Sequence, residues 1–266
     1  MYRGFQLRLT SQSTSLISKL KGYANQGREI LKADRTQVQE ILDDFLLSDG
    51  SLDGSKMQEN WFPQIKADVF ISHSHQDEEL ALGLAGWLNK HFGLKAFIDS
   101  AVWGYANDLL KDIDNKYCLL TGSQVYNYQK RNQSTSHVHM MLSVALNQMI
   151  DNTECLFFLN TPHSVSIGES IDGTTPSPWI YSELAMSRLI RERRPERYEA
   201  VVESRSHLKC FSADLIIRYP LPMGHLTELN SNDLLMWERF CKAEVSHHHL
   251  KALDRLYQLK PLKKDE

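Results

Sequence analysis

The residues best suited to chemistry lie in Ser177-Pro178-Trp179-Ile180-Tyr181-Ser182-Glu183-Leu184. Ser177 followed by Pro178 is a helix-start signature, an N-cap hydroxyl before a first-turn proline. Trp179 and Glu183 are four residues apart and share one face of that helix, in a row that continues through Met186 and Ile190. Glu183 therefore interrupts an apolar stripe, and burying a carboxylate is costly unless something compensates it. Two readings stand side by side: a carboxylate paired with a cation or reaching solvent at the helix edge, or a cleft carboxylate tuned for reaction. Three polar segments follow short apolar runs: Ser72-His73-Ser74-His75-Gln76-Asp77, Asp99-Ser100-Ala101-Val102-Trp103, and the loop before Trp179. In an open α/β sheet ligands bind outside the carboxyl ends of the strands, so these segments and Glu183 are expected at one sheet edge.

The elements that must position them follow from periodicity. Asp68-Val69-Phe70-Ile71-Ser72 reads as a buried strand, Glu78 to Phe92 as a helix stopped by Gly93, and Leu94 to Asp99 as a second strand. That βαβ unit, with strands lacking polar alternation, predicts a parallel sheet with helices on both faces. Residues 100–133 read as a long irregular loop, Ser136 to Ile150 as a helix, and Cys155 to Leu159 as a third strand. A polar loop, Ser164 to Thr175, leads to the helix from Pro178 to about Arg193; Lys209 to Pro220 is strand-like, clearest at Leu215-Ile216-Ile217, and Asn232 to Lys260 reads as a helix pair. Upstream, Leu16, Ile17, Leu20 and Tyr23 form one amphipathic helix, and Val38, Ile41, Leu42, Phe45 and Leu46 a second that Asp34 would cap. Ser48 to Ser55 is a turn-rich linker. The expected organisation is a helical N-terminal extension over 1–60, a main α/β domain over 66–220 and a helical C-terminal extension over 221–266. The N-terminal helices either pack on the main domain or serve a separate interaction.

Composition narrows the function. The chain has 266 residues, 42% hydrophobic and 24% charged, with net charge −3, so no basic field calls for nucleic acid or an acidic membrane. No apolar run approaches the roughly 20 residues of a membrane span, and the first residues turn polar too early for a signal-peptide core. Four cysteines, Cys118, Cys155, Cys210 and Cys241, form no CxxC pair, which suits a reduced, cytoplasmic setting. Neither a phosphate-loop nor a dinucleotide-binding glycine motif occurs, nor a G-x-S-x-G elbow. The third strand ends Leu159-Asn160-Thr161, which argues against a phosphoacceptor aspartate. His247-His248-His249 reads as a solvated run rather than a metal site, and His137 and His139, two apart, face different ways on a helix; no metal is expected. Arg191 to Arg197 mixes both signs and reads as a solvated helix end.

With these motifs in order, Lys66 to Pro220 resembles the Toll/interleukin-1 receptor (TIR) domains. Asp68 to Ser74 looks like the family's opening strand. Phe97-Ile98-Asp99 resembles its second strand, leading into the BB loop. Ser177-Pro178-Trp179 through Glu183-Leu184 looks like the S-x-W-x-x-x-E-L segment of NAD-cleaving members, in a form more similar to bacterial proteins, including the Thoeris anti-phage type, than to receptor adaptors. The stretch between the second and third strands is longer than in a compact member. The resemblance implies a flavodoxin-like parallel sheet and cleavage of the nicotinamide–ribose bond of NAD+, taken as substrate with no separate cofactor. It implies Glu183 as the catalytic carboxylate, with Ser72, His73, Ser74, Asp99, Trp103, Asp108 and Trp179 around the substrate. It further implies a homo-oligomer on activation and an effector that reads an ADP-ribose-type product. A non-catalytic TIR scaffold and a nucleoside deoxyribosyltransferase-like enzyme are the competing expectations.

Overall fold

The computed structural model describes the chain except for residues 35–41, 104–105, 166–172, 191, 194, 196–218, 243–250 and 263–266. In chain order the first elements are β1 (Arg3–Arg8), α1 (Thr14–Lys21), α2 (Ala24–Asp34), α3 (Gly54–Trp61), β2 (Val69–Ser72), α4 (Glu78–Phe92) and β3 (Ala96–Phe97). There follow α5 (Asp99–Val102), α6 (Ala106–Ile113), α7 (Tyr128–Asn152), β4 (Cys155–Asn160), β5 (Thr174–Thr175) and α8 (Pro178–Leu189). The last are β6 (Tyr219–Pro220), β7 (Thr227–Leu229), α9 (Ser231–Lys242) and α10 (Lys251–Leu259). They form two compact units, one of Met1–Arg28, Lys66–Ile98 and Ile150–Glu266, the other of Glu29–Ile65 and Asp99–Met149.

The first unit is an α/β structure built on a five-stranded parallel sheet flanked by helices, with strand order β3-β2-β4-β1-β7. β2 and β4 read as continuous apolar runs because they are buried throughout, apart from a half-buried Asn160 at the end of β4. β1 runs parallel to β4 from Arg3 opposite Cys155 to Arg8 opposite Asn160, and its other edge takes β7. This corrects the domain reading. Residues 1–60 are not a helical extension, since Arg3–Arg8 supplies an interior strand, and 221–266 is not purely helical, since Thr227–Leu229 supplies an edge strand. The first strand carries little sequence signal because Arg-Gly-Phe-Gln-Leu-Arg has only two large apolar residues, Phe5 and Leu7. Both are fully buried, while the Arg3 guanidinium lies over the Phe5 and Tyr257 rings.

Other boundaries also shift. Of the second expected helix, residues 35–41 lie outside the described residues and Leu42–Phe45 form only a 3₁₀ turn; Asp34 instead ends α2, so it caps no helix start. The turn-rich linker forms over residues 48–53, with Gly50 at φ 82° and the Asp49 carboxylate accepting from the Ser51 amide, and leads into α3, N-capped by Asp53, whose carboxylate accepts from the Ser55 and Lys56 amides. Residues 100–133 are largely helical, and α7 starts at Tyr128. Leu215-Ile216-Ile217 and the His247–His249 run lie outside the described residues. Gly93 closes α4 in the left-handed conformation, φ 68°, as its position predicts. Among the described residues no helix is long and apolar enough to cross a membrane.

Aromatic packing joins the sheet to its helices. Phe5 and Phe157 stack at 5.5 Å, and Trp237 of α9 lies near-parallel to Phe157 and, at 4.1 Å, to Phe92 of α4. The Trp237 indole N–H donates to the Ala252 carbonyl at 2.7 Å, which ties α9 to α10. Glu238, one residue on, accepts from Lys19 of α1 and Lys242, each at 2.6 Å, and its other neighbour is His91 of α4 at 3.4 Å. Burial raises this carboxyl, but the two lysine bonds and the facing charges outweigh it and bring it down to about 2.

α1 and α2 meet α4 backbone to backbone. A Cβ on Gly83 would fall within 3.0 Å of the Leu20 carbonyl, one on Gly86 within 3.0 Å of the Tyr23 carbonyl, and one on Gly27 within 3.0 Å of the Leu82 carbonyl. The intruding atom meets backbone, which cannot swing aside. Gly83→Ala is therefore expected to lower stability by about 1–3 kcal/mol. Gly54→Ala, with nothing within 4 Å of the added carbon, should stay within about 0.5 kcal/mol of wild type in the same urea titration.

Candidate functional site

The local start of α8 forms as its sequence dictates. Ser177 accepts from the Ile180 amide at 3.3 Å, Pro178 occupies the first turn, and the buried Thr175 hydroxyl accepts from the Ser177 amide at 3.2 Å. The Tyr181 ring stacks on Tyr219 of the small β5–β6 ladder at 4.6 Å. The helix ends at Leu189.

The buried face of α8 is Ile180, Glu183, Leu184 and Ser187, at spacings of three and four. Trp179, Met186 and Ile190, which share a row with Glu183, are half-buried. Glu183 is 4% exposed, so it is neither a solvated edge residue nor a snorkelling one. The hydroxyl of Ser72, itself 1% exposed at the carboxyl end of β2, donates to Glu183 Oε2 at 2.6 Å. That distance is typical of a hydroxyl bonded to a carboxylate. A residue 111 positions away thus meets Glu183 where parallel strands present ligand sites.

His73 is buried and Ser74 half-buried; the Ser74 carbonyl accepts from the Asp77 amide at 2.7 Å and starts a 3₁₀ turn into α4. Two residues with no role expected from sequence, Thr161 and Ser164, complete this edge. The Thr161 hydroxyl, just past β4, donates to the buried Asp77 carboxylate at 2.5 Å. Ser164 accepts from the Thr161 amide at 2.9 Å and donates to the Leu159 carbonyl at 2.7 Å. The loops after β2 and β4 are thereby pinned together. An aspartate at a helix start was visible in sequence, but its partner 84 residues away was not.

The remaining sequence candidates belong to the other unit. Asp99 opens α5 and is half-buried, and its carbonyl accepts from the Trp103 amide at 2.7 Å. Trp103 is 3% exposed, gives its indole N–H to the Pro63 carbonyl at 3.0 Å and meets Phe62 edge-on at 5.9 Å. It is thus a core residue of that unit, held by its satisfied N–H and buried ring. Asp108 is exposed on α6. Among the described residues no group of three His, Cys, Asp or Glu side chains is placed to hold a metal ion.

Comparison with protein families, with characterised proteins and with solved structures yields no match to this chain.

One turn beyond Glu183, the Ser187 hydroxyl lies 2.9 Å from both the Leu184 carbonyl and His225 Nε2. Burial, with the Arg188 charge adding to it, lowers His225 to about 4, although an interaction with the Pro222 backbone opposes the shift. An ordinary histidine titrates near 6.5, so between pH 6.5 and 4 the unfolded chain binds a proton that the folded chain does not. Stability should therefore fall as pH drops through that window, by up to about 3 kcal/mol from this group. Urea midpoints at pH 7.5 and 4.5 should differ less for His225→Gln than for wild type.

Proposed function

We propose that this protein is an NAD+ glycohydrolase or cyclase of TIR type, built on a flavodoxin-like sheet, with Glu183 as its catalytic carboxylate. The observation that carries the proposal is the buried Glu183 carboxylate hydrogen-bonded by Ser72 at the carboxyl end of β2. The motif order seen in sequence supports it. So does the strand order, in which β2, β3 and β4 take the relative places of the family's first three strands. The N-terminal β1 stands in the fourth place, which is a departure particular to this chain.

The chemistry suits one carboxylate. The C1′–N1 bond of NAD+ breaks heterolytically, and the electron pair passes to the pyridinium nitrogen, so nicotinamide leaves neutral without needing a proton. Positive charge develops on the ribose as an oxocarbenium ion, as in glycoside hydrolysis. Glu183 stabilises that charge and binds ribose hydroxyls; a preorganised group of this kind is worth about 10²–10³ in rate. Water then captures C1′ and loses a proton to give ADP-ribose, or an adenine nitrogen captures it to give a cyclic isomer. Ser72 is a positioning residue that fixes the carboxylate rotamer, and Trp179 walls the ribose from water. The released nucleotide would serve as the signal for an effector in anti-phage defence, within the cytoplasm.

With purified protein and NAD+, nicotinamide release followed by mass spectrometry should show turnover. Glu183→Gln should reduce kcat by about 10²–10³, and Ser72→Ala by about tenfold, the worth of roughly 1.4 kcal/mol. A folded Glu183→Gln protein with wild-type turnover overturns the assignment. An inert wild type points to the scaffold, and turnover of deoxynucleosides instead of NAD+ to the deoxyribosyltransferase.

Glu183 is almost wholly covered, so substrate access requires the edge to open, and assembly of copies is the proposed means of holding it open. Specific activity should then rise with protein concentration. Constant specific activity across a hundredfold range, with a monomeric mass during turnover, removes assembly from the proposal.

A further inference from the structure

The strand order places two crevices beside β4. The connection from β2 through α4 runs toward the β3 edge, and the connection leaving β1 through α1 runs in the same direction. α1 and α4 pack on each other through Gly83, so both lie on one face. The connection from β4 through α8 runs the opposite way, to β7. Parallel crossovers are right-handed almost without exception, so opposite directions put α8 on the opposite face. Adjacent strands whose connections leave to opposite faces open a crevice at their carboxyl ends, where ligands of such sheets bind. β4 differs in this way from both neighbours. The β2–β4 crevice is the one beside Ser72 and Glu183. The β4–β1 crevice exists because an N-terminal strand occupies that place.

A cavity of about 310 Å³ is lined from the segments after β1 and β4 that flank this second crevice, and by Gln76, Asp77, Glu79 and Leu80 around the start of α4. Leu9 and Thr10 after β1, Ile17 and Lys21 of α1, and Pro162 and His163 after β4 are among the residues around it. Its volume is at the low end for ligand pockets, room for one ring-bearing metabolite rather than a dinucleotide. The two acids on its wall are engaged: Asp77 accepts from Thr161, and Glu79 pairs with Arg28. Among the described residues no carboxylate pairs with Lys21 or His163. The lining thus combines apolar Leu9, Ile17, Leu80 and Pro162 with the cation of Lys21 and the imidazole of His163.

We infer that the β4–β1 crevice is a second ligand site, separate from Glu183, that takes a nucleoside monophosphate. The base packs against Leu9, Ile17 and Pro162, and the phosphate meets Lys21 and His163. The inference does not depend on NAD+ cleavage.

Calorimetric titration with AMP, and separately with inorganic phosphate and nicotinate, tests it on the full chain. AMP should bind with a dissociation constant below 1 mM. Lys21→Ala should weaken it at least tenfold, and Ile17→Trp, which fills the cavity, should abolish it, while Glu183→Gln leaves it unchanged. Lys21 is exposed, so its loss should not disturb folding, which circular dichroism checks. Absence of AMP binding at millimolar concentration overturns the inference, as does equal binding of phosphate alone or of nicotinate. Binding lost in Glu183→Gln but kept in Lys21→Ala would place AMP in the β2–β4 crevice, and also overturns it.

Discussion

The pairing of Arg3–Arg8 along the whole length of Cys155–Asn160 is the contact on which the sheet depends. Without it β4 would be an edge strand carrying five fully buried apolar or thiol side chains and an open row of backbone groups, the arrangement that invites pairing with another chain. With it, β4 has a neighbour on both sides and β7 has a strand to pair with. The chain terminus is held in place as well: the N-terminal ammonium donates to the Asp151 carbonyl at 2.8 Å. Both carboxyl-end crevices flank the same strand, so the geometry of either rests on this register.

The helices on the sheet are fixed by two unlike devices. Small residues let α1, α2 and α4 approach through their backbones, a geometry with no tolerance for an added methyl group. Large aromatic rings do the opposite at α9, where Trp237 fills the space above Phe157 and Phe92. Glu238 then joins α1, α4 and α9: its carboxylate is largely covered, while Lys19 and Lys242 reach it from partly exposed positions. Such a node contributes specificity of docking, because a carboxylate buried without its lysines would cost several kcal/mol. The carboxyl-end edge inherits this rigidity: Ser72 and Asp77 flank the junction of β2 and α4, and each holds a partner from an element beyond β4.

Within the sequence, the start of α8 was legible in detail. An N-cap serine and a first-turn proline are nearest-neighbour signals, and both formed as written; the buried face did not, since it runs through Ile180 and Leu184 while Trp179 and Met186 are half-buried. The runs of β2 and β4 were legible because full burial leaves no polar alternation, and Gly93 because only a left-handed stop suits that helix end. Glu183 was visible as an anomaly, an acid on an apolar face, but spacing alone favoured a paired or edge carboxylate over a reactive one. Trp103 had a role only through the resemblance, and local sequence carried no sign that its indole N–H ends on the Pro63 carbonyl.

Tertiary structure alone decided what lies far apart along the chain. Strand β1 has too few large apolar residues to announce itself, and its partner is about 150 positions away; pairing at that distance leaves no local trace. The Ser72–Glu183 and Asp77–Thr161 bonds are of the same kind, each joining a strand-end or helix-start residue of ordinary type to one 111 or 84 positions on. Local sequence fixes how a segment folds, because backbone sterics and side-chain spacing act over a few residues. Which segments then lie side by side depends on burying every apolar face and satisfying every buried polar group at once, and that is a property of the whole chain.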